Sequence, residues 1–196
     1  MAKIYEGIDE QVRDWIARQR LFFVATAPSG DGGHVNLSPK GPIGMLRVLD
    51  EHTIAYLDLV GSGAETIAHL RENGRIVVML CSFEGPPRIV RLHGSGEVVT
   101  STDPRFAELL GRCKFEEPAA SEARRTIILI DVARVADSCG YGVPLMSYEG
   151  QRPHMDAWAQ KKLRVGGPDA IVKYQREKNA ESIDGLPALE TPGKPS

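Results

Sequence analysis

Two short segments of the chain combine side chains and backbone groups that could bind an anionic ligand. The first, Asn36–Gly41, brings a hydroxyl, an ammonium and a glycine together within six residues. A lysine charge beside free backbone N–H groups suits a phosphate or an electron-rich ring. A bulged strand whose lysine is solvated explains the same pattern, and these residues alone favour that simpler interpretation.

The second segment, Gly61–Thr66, runs from a glycine-rich turn into a predicted helix. Such a turn presents unpaired N–H groups at the positive end of the helix dipole, which suits an anion. Ser62 and Glu65 also have the spacing of a capping box, and capping is the favoured interpretation. The charge of Glu65 would also repel a phosphate placed directly beside it.

A third group of polar side chains lies on the predicted strand Arg88–His93. Because side chains alternate along a strand, Arg88 and Arg91 face opposite sides of the sheet. Arg91 shares its face with His93. We therefore predict Arg91, rather than Arg88, as the arginine that contacts a ligand.

No side chain is assigned a catalytic role from the sequence. Cys139 lies among glycines, as a nucleophile could, but no histidine and carboxylate can be assigned to activate it, so a structural loop is favoured. The five histidines have no metal-ligand spacing, so no metal site is expected. An enzyme with so few reactive groups would need a cofactor.

The hydrophobic pattern predicts a mainly β fold with closely spaced antiparallel strands, which favours a small barrel of six or seven strands. Glycines at 94 and 96 predict a bend or bulge. The predicted strands cover 21–27, 34–37, 47–49, 53–59, 75–82, 88–100 and 126–135. The predicted helices cover 9–19, 64–72 and 104–110 before residue 136, and 155–163 and 170–178 after it, followed by an arm over 180–196.

Length and composition indicate one soluble domain. The chain has 196 residues, of which 42% are hydrophobic and 26% charged, with a net charge of −2. This balance argues against nucleic acid or an anionic membrane as the main partner. No apolar stretch is long enough for a membrane span. Three widely spaced cysteines predict reduced thiols and a cytoplasmic location.

Several motifs taken together resemble the pyridoxamine 5′-phosphate oxidase-related family of flavin-binding proteins. They occur in order at 23–27, 33–41, 61–66, 75–79 and 87–94, and the endings at 138–144 and 182–187 resemble one branch of that family. The resemblance implies a six-stranded split barrel that forms a homodimer and binds FMN at the subunit interface. It predicts a barrel domain over 1–136 and a C-terminal loop, helices and arm over 137–196 that pack on the barrel or on the partner.

The resemblance also implies which residues contact FMN. They come from the strand after the first hairpin, the segment leading into the next helix and the long strand: Ser38, Pro39, Lys40, Gly41, Asp58, Glu65, Thr66 and Arg91. Ser38 and the pair Glu65–Thr66 stand where pyridoxamine phosphate oxidases carry an arginine and an Arg-Lys pair. The arginine-rich C-terminal segment that binds the pyridoxal substrate has no counterpart, so the vitamin B6 reaction is not expected.

The favoured function is that of an FMN-dependent oxidoreductase that transfers a hydride to or from an unknown small-molecule substrate. Related split barrels suggest two other ligands. A deazaflavin would need a basic groove, for which Lys161, Lys162 and Arg164 are candidates, and haem would need His69 or His93. A flavin-binding module without turnover is the third alternative.

Overall fold

The computed structural model describes residues 3–190, which form one antiparallel sheet of eight strands and five α-helices. The strands are β1 (Lys3–Tyr5), β2 (Phe22–Thr26), β3 (Asn36–Lys40), β4 (Leu46–Val48), β5 (Thr53–Leu59), β6 (Arg75–Cys81), β7 (Ile89–Thr100) and β8 (Arg124–Ser138). The helices are α1 (Glu10–Ala17), α2 (Glu65–Asn73), α3 (Arg105–Cys113), α4 (His154–Gly166) and α5 (Ala170–Lys178).

The strands form a curled sheet in the order β3-β2-β6-β7-β8-β5-β4, with β1 paired to the end of β8. Every pairing is antiparallel. The prediction of a mainly β, antiparallel split barrel with short flanking helices and a C-terminal helical extension is confirmed. Strand β1 was not predicted, because three residues with no apolar alternation give no recognisable pattern.

Strand β3 differs most from its prediction. It spans Asn36–Lys40 instead of 34–37, so Pro39 lies within the strand and does not interrupt it. Proline is tolerated there because β3 is an edge strand, whose outer side needs no N–H donor. The edge position of β3 therefore explains why a proline-containing segment still pairs with β2 along its whole length.

The main core lies on the inner side of the sheet and is closed by α1. Alternate residues of β2 and β7 point into it, among them Phe22, Val24 and Leu92, which are fully buried. Helix α1 covers this core with one apolar stripe and begins at Asp9, whose carboxylate accepts from the Val12 N–H at 2.7 Å. A second core packs α3 against β5 and β8.

The long strands β7 and β8 carry a bulge where the sequence predicted one. Their register shifts between His93 and Gly94, opposite Arg134 and Val132. A side chain at position 94 would overlap the carbonyl oxygen of Asp131, so the two backbones approach closely at this point. Glycine is therefore required here by space, and the bulge bends both strands into the curled sheet.

The C-terminal segment packs on the barrel of its own chain. Helices α4 and α5 bury Ala159 and Ile171 against Val60, and Asn179 Nδ2 donates to the carbonyl oxygen of Gly61 at 2.9 Å. The last barrel strand ends at Ser138, two residues beyond the predicted domain boundary. Residues 191–196 of the predicted arm lie outside the described part of the chain. Within residues 3–190, no helix combines the length and apolarity that crossing a bilayer requires.

Candidate functional site

The candidate site begins on the inner side of the edge strand β3. Asn36, Ser38 and Lys40 point to that side and are half-buried, whereas Leu37 and Pro39 point outward and are exposed. This division follows from the two-residue period of a strand. It places a carboxamide, a hydroxyl and an ammonium in one row, and that row faces the end of β5 and the start of α2.

At one end of the row, Lys40, Asp58 and Arg125 form a buried ion triad. Lys40 Nζ lies 2.8 Å from Asp58 Oδ1, and Arg125 Nη2 lies 2.7 Å from Asp58 Oδ2. The Asp58 side chain is only 1% exposed. Arg125 Nη1 also donates to the carbonyl oxygen of Gly63 at 2.7 Å. The triad therefore joins the sheet edge to the turn that precedes α2.

The triad keeps Asp58 ionised in spite of its burial. Burial by itself would raise the pKa of Asp58, but the Arg125 guanidinium and the Lys40 ammonium outweigh it and lower the pKa. One of the three N–H groups of Lys40 donates to this carboxylate, and the Lys40 side chain remains 23% exposed. Two donors of Lys40 are therefore left for a ligand.

A second bulge explains how Arg125 reaches Asp58. Along β5, Asp58 pairs with Thr126 and Leu59 pairs with Arg124, so Arg125 has no partner across the strand pair. An extra residue in one strand redirects its side chain. The sequence prediction missed Arg125, because the strand was expected to begin at Thr126 and nothing in the sequence marks a bulge before that point.

At the other end of the row lies a polar cluster of Asn36, Ser38, Thr26, Thr66 and His69. Asn36 Nδ2 donates to Thr66 Oγ1 at 2.9 Å and to Thr26 Oγ1 at 3.1 Å, and Ser38 Oγ donates to Asn36 Oδ1 at 2.9 Å. His69 Nδ1 lies 3.0 Å from Thr26 Oγ1, and no residue between 3 and 190 bonds its buried Nε2. Asn36 is the centre of this cluster, and its alternation with Ser38 and Lys40 could have identified it.

A cavity of about 250 Å³ opens beside this row. Three of the predicted residues, Pro39, Lys40 and Gly41, line it. The opposite walls come from β5, from the loop before β8 and from the start of α4, including Leu57, Leu59, Pro118, Arg152 and Met155. The cavity therefore combines an apolar wall with two cations, with the β3 backbone at the sheet edge and with three carboxylates: Glu116, Glu117 and Asp156.

The turn Gly61–Gly63 does not cap α2 as predicted. The helix begins at Glu65, and Ala64 precedes it without a side-chain cap. The capping-box interpretation of Ser62 and Glu65 is therefore wrong. The turn is held instead by its carbonyl groups, which accept from Arg125 and Asn179. This leaves the first N–H groups of α2 without a side-chain cap, next to Thr66.

Arg91 lies apart from the other predicted residues within one chain. It points to the outer side of the sheet and donates to Ser138 Oγ at 3.0 Å. It shares that side with His93, whose pKa is lowered by burial and by the charges of Arg134 and Arg91. Pairing across the sheet places Arg91 opposite Met79, in a row that ends at Pro39. One protomer therefore does not bring Arg91 to Ser38 and Lys40.

The three cysteines and the two candidate haem ligands lie on different elements of the fold. Cys81 and Cys113 are buried, and Cys139 is exposed in the loop that follows β8. In the part of the chain that the structure covers, no three histidine, cysteine, aspartate or glutamate side chains group as metal ligands would. His69, one candidate haem ligand, is fully buried.

Comparison with known proteins agrees with this fold. Residues 8–139 match the family model described as pyridoxamine 5′-phosphate oxidase. The chain is 40% identical over 204 aligned residues to pyridoxamine 5′-phosphate oxidase family protein ustO of Aspergillus flavus, covering 97% of this chain and 79% of that protein. The chain therefore belongs to the pyridoxamine 5′-phosphate oxidase family.

Two solved structures match this chain at lower sequence identity. A variant of HupZ from Group A Streptococcus superposes with a TM-score of 0.50 at 22% identity, covering 67% of this chain and 99% of that one. An FMN-binding protein from Syntrophomonas wolfei superposes with a TM-score of 0.47 at 18% identity, covering 70% and 87%. The matched part of this chain is about two thirds of its length.

Proposed function

We propose that this protein is a homodimeric FMN-dependent oxidoreductase that acts on a small molecule in the cytoplasm. The observation that carries the proposal is the polar row on β3, which meets Thr66 at the start of α2 at one end and a partly apolar cavity at its Lys40 end. Family membership supports a flavin as the ligand, and sparse, unpaired cysteines support a reducing compartment.

The donors present fit a phosphate group that is held mainly by uncharged groups. Thr66 supplies a hydroxyl whose oxygen accepts from Asn36 and whose O–H can donate, whereas the O–H of Ser38 is already donated to Asn36. The first turn of α2 supplies backbone N–H groups and the positive end of its dipole. Lys40 supplies two further N–H groups, and its ion triad with Asp58 and Arg125 keeps a net charge of only +1. Glu65 is negative at the same helix start. These features support binding of the FMN phosphate through hydrogen bonds more than through charge.

The cavity suits the planar part of such a ligand. Leu57, Leu59 and Met155 offer apolar surface, and the backbone at Pro39 and Gly41 forms the facing edge. A bound flavin would supply the group that accepts or delivers a hydride. The chain itself would orient the ring against the β3 backbone and exclude water with the wall that α4 contributes.

A second copy of the chain would complete the site. The cavity in one protomer is smaller than the range of about 300–1,000 Å³ that is usual for ligand pockets. The outer side of β3 and β2 bears the exposed side chains Val35 and Leu37 beside the half-buried Phe23. Arg91 lies on the same side. Pairing two such faces would bury these apolar groups and carry Arg91 toward the partner's site.

The ligand can be identified from the purified protein. We expect absorption bands of a flavin, or their appearance on addition of FMN, and FMN as the mass of the released ligand. A Soret band, a deazaflavin mass or a colourless protein that takes up no FMN would each contradict the proposal. Reduction of the bound flavin by a nicotinamide donor, followed by turnover of a substrate, would separate an enzyme from a flavin-binding module.

Lys40→Met is expected to weaken FMN binding about tenfold or more, because a hydrogen bond to a charged group contributes about 1.5–3 kcal/mol. Titration of the apoprotein with FMN, followed by flavin fluorescence, measures the change. Lys173→Met removes the same charge from the exposed side of α5 and should leave the affinity unchanged. Equal affinities for the two variants and the wild type would remove Lys40 from the site.

Val35→Asp is expected to convert the homodimer to a monomer, because it places a charge in the proposed apolar interface. Light scattering after size-exclusion chromatography measures the mass. Val165→Asp is the matched control, since Val165 on α4 is 76% exposed and Val35 is 74% exposed. A monomeric wild type, or two variants with the same mass, would contradict the proposed interface.

A further inference from the structure

A second cavity of about 220 Å³ lies between α2, the end of β7, the start of β8 and α5. It shares no lining residue with the cavity beside β3. Its walls are notable for their side-chain chemistry, because three arginines and three consecutive hydroxyl residues line it: Arg71, Arg125, Arg176, Thr100, Ser101 and Thr102.

The charge of this cavity is strongly positive. Among residues 3–190, one acidic residue lines this cavity: Glu190, whose side chain is 89% exposed. Arg71 Nη1 lies 3.7 Å from Glu190 Oε1, a distance at the weak end of ion pairs. The lining therefore has a surplus of two positive charges. The carboxylate of Glu190 already lies beside Arg71, so an anion is the kind of group that suits this cavity.

Arg125 gives the cavity one rigid wall. Its side chain is only 4% exposed, and three of its five N–H groups bond to Asp58 and to the carbonyl oxygen of Gly63. The guanidinium is therefore fixed in place by groups outside the cavity. A planar guanidinium in a fixed orientation presents its remaining N–H groups to an oxyanion at little entropic cost.

The size of the cavity restricts the ligand. Its volume equals that of roughly seven waters, since one water occupies about 30 Å³ of the liquid. This volume accepts a phosphate group with a short organic substituent but not a dinucleotide. A phosphomonoester carries about 1.5–2 negative charges near neutral pH and several acceptor oxygens, which matches the surplus charge and the hydroxyl donors.

From these observations we propose that the second cavity binds a phosphate anion, either inorganic phosphate or a small phosphomonoester. Arg71 and Arg176 supply the charge and Arg125 fixes one wall. The hydroxyls of Thr100, Ser101 and Thr102 donate to the phosphate oxygens, once the 3.0 Å contact between Thr100 Oγ1 and Thr102 Oγ1 opens. No residue of the row on β3 lines this cavity, but Arg125 also belongs to the ion triad with Lys40 and Asp58, so Arg71 and Arg176 are the residues that test this site separately from the proposed flavin.

Calorimetric titration of the full chain with inorganic phosphate at constant ionic strength tests the proposal. We expect saturable binding that Arg176→Gln weakens about tenfold or more, since it removes a charged donor. Glu190→Gln is expected to tighten binding several-fold, because it removes a competing carboxylate from Arg71. Lys178→Gln, an equal charge change on the exposed surface of α5, should have no effect.

Three outcomes would overturn the proposal. Absence of saturable heat would do so, and so would equal weakening by Arg176→Gln and Lys178→Gln, which would mean diffuse attraction by net charge. Thr66→Val separates this site from the proposed flavin site: loss of phosphate binding in that variant would place the anion at α2 instead. Unchanged FMN uptake by Arg176→Gln keeps the two proposals independent.

Discussion

Arg125→Met is expected to lower the free energy of unfolding by about 3–5 kcal/mol, the usual cost of removing one partner from a buried ion pair. The variant leaves the buried Asp58 carboxylate with Lys40 alone and the Gly63 carbonyl without its donor. Methionine retains much of the arginine stem, so lost packing contributes little. Urea unfolding followed by circular dichroism measures the change.

The neighbouring Arg124→Met provides the control. Arg124 Nη1 lies 2.9 Å from Glu117, but this pair is partly exposed and screened by water. Its removal should therefore cost no more than about 1 kcal/mol. If the two variants lost the same stability, the buried ion triad would have no special role in holding the sheet edge to the start of α2.

The pH dependence of unfolding provides a further check on the triad. The pKa of Asp58 is lowered in the folded protein, so its contribution to stability is present above its ordinary pKa of 3.8 and is lost as the pH falls through the lowered folded value. The charge of Arg125 makes the largest contribution to lowering the pKa of Asp58, and Arg125→Met removes that charge. The difference in the free energy of unfolding between wild type and variant should therefore be largest near neutral pH and should decrease below about pH 4.

Local patterns were sufficient to predict most of the barrel. Short runs of apolar and β-forming residues along β2, β6 and β7 marked those strands. The glycine at the bulge was recognisable because few other reasons place Gly94 inside a strand. Strand β1 escaped prediction, since its three residues owe their structure to pairing with β8 and not to their own sequence.

The residues of the candidate site were predictable only where they lie close together in the sequence. Ser38 and Lys40 were identified together because they lie in one segment of six residues, and the structure places them at alternate positions of β3. Arg125 was not identified, because its position depends on a register shift between β5 and β8. The error over Ser62 has a similar cause: the turn is held by Asn179, which lies more than 100 residues further along the chain. Contacts between segments that are distant in the sequence cannot be predicted from the spacing of residues within one segment.

The bulge at Gly94 brings the backbones of β7 and β8 close together. A Cβ atom added there would overlap the backbone carbonyl of Asp131 and crowd Val132, and neither group can rotate away. At Gly96, two residues further on, the same atom would meet the ends of the Leu70 side chain at 2.9–3.0 Å, which can shift. A methyl group at position 94 would therefore require the backbone to move, whereas one at position 96 would require only a side chain to move, although both positions lie in β7.

Gly94→Ala is accordingly expected to destabilise the protein by about 3 kcal/mol or more, at the upper end of overpacking effects, because β7 and β8 must separate to admit the methyl group. Gly96→Ala should cost less. Gly111→Ala in α3, where nothing lies within 4 Å, should be neutral or stabilise by up to about 1 kcal/mol. Thermal and urea unfolding of the three variants give this order. A Gly94→Ala protein as stable as the wild type would mean that the two strands do not approach as closely as the structure shows.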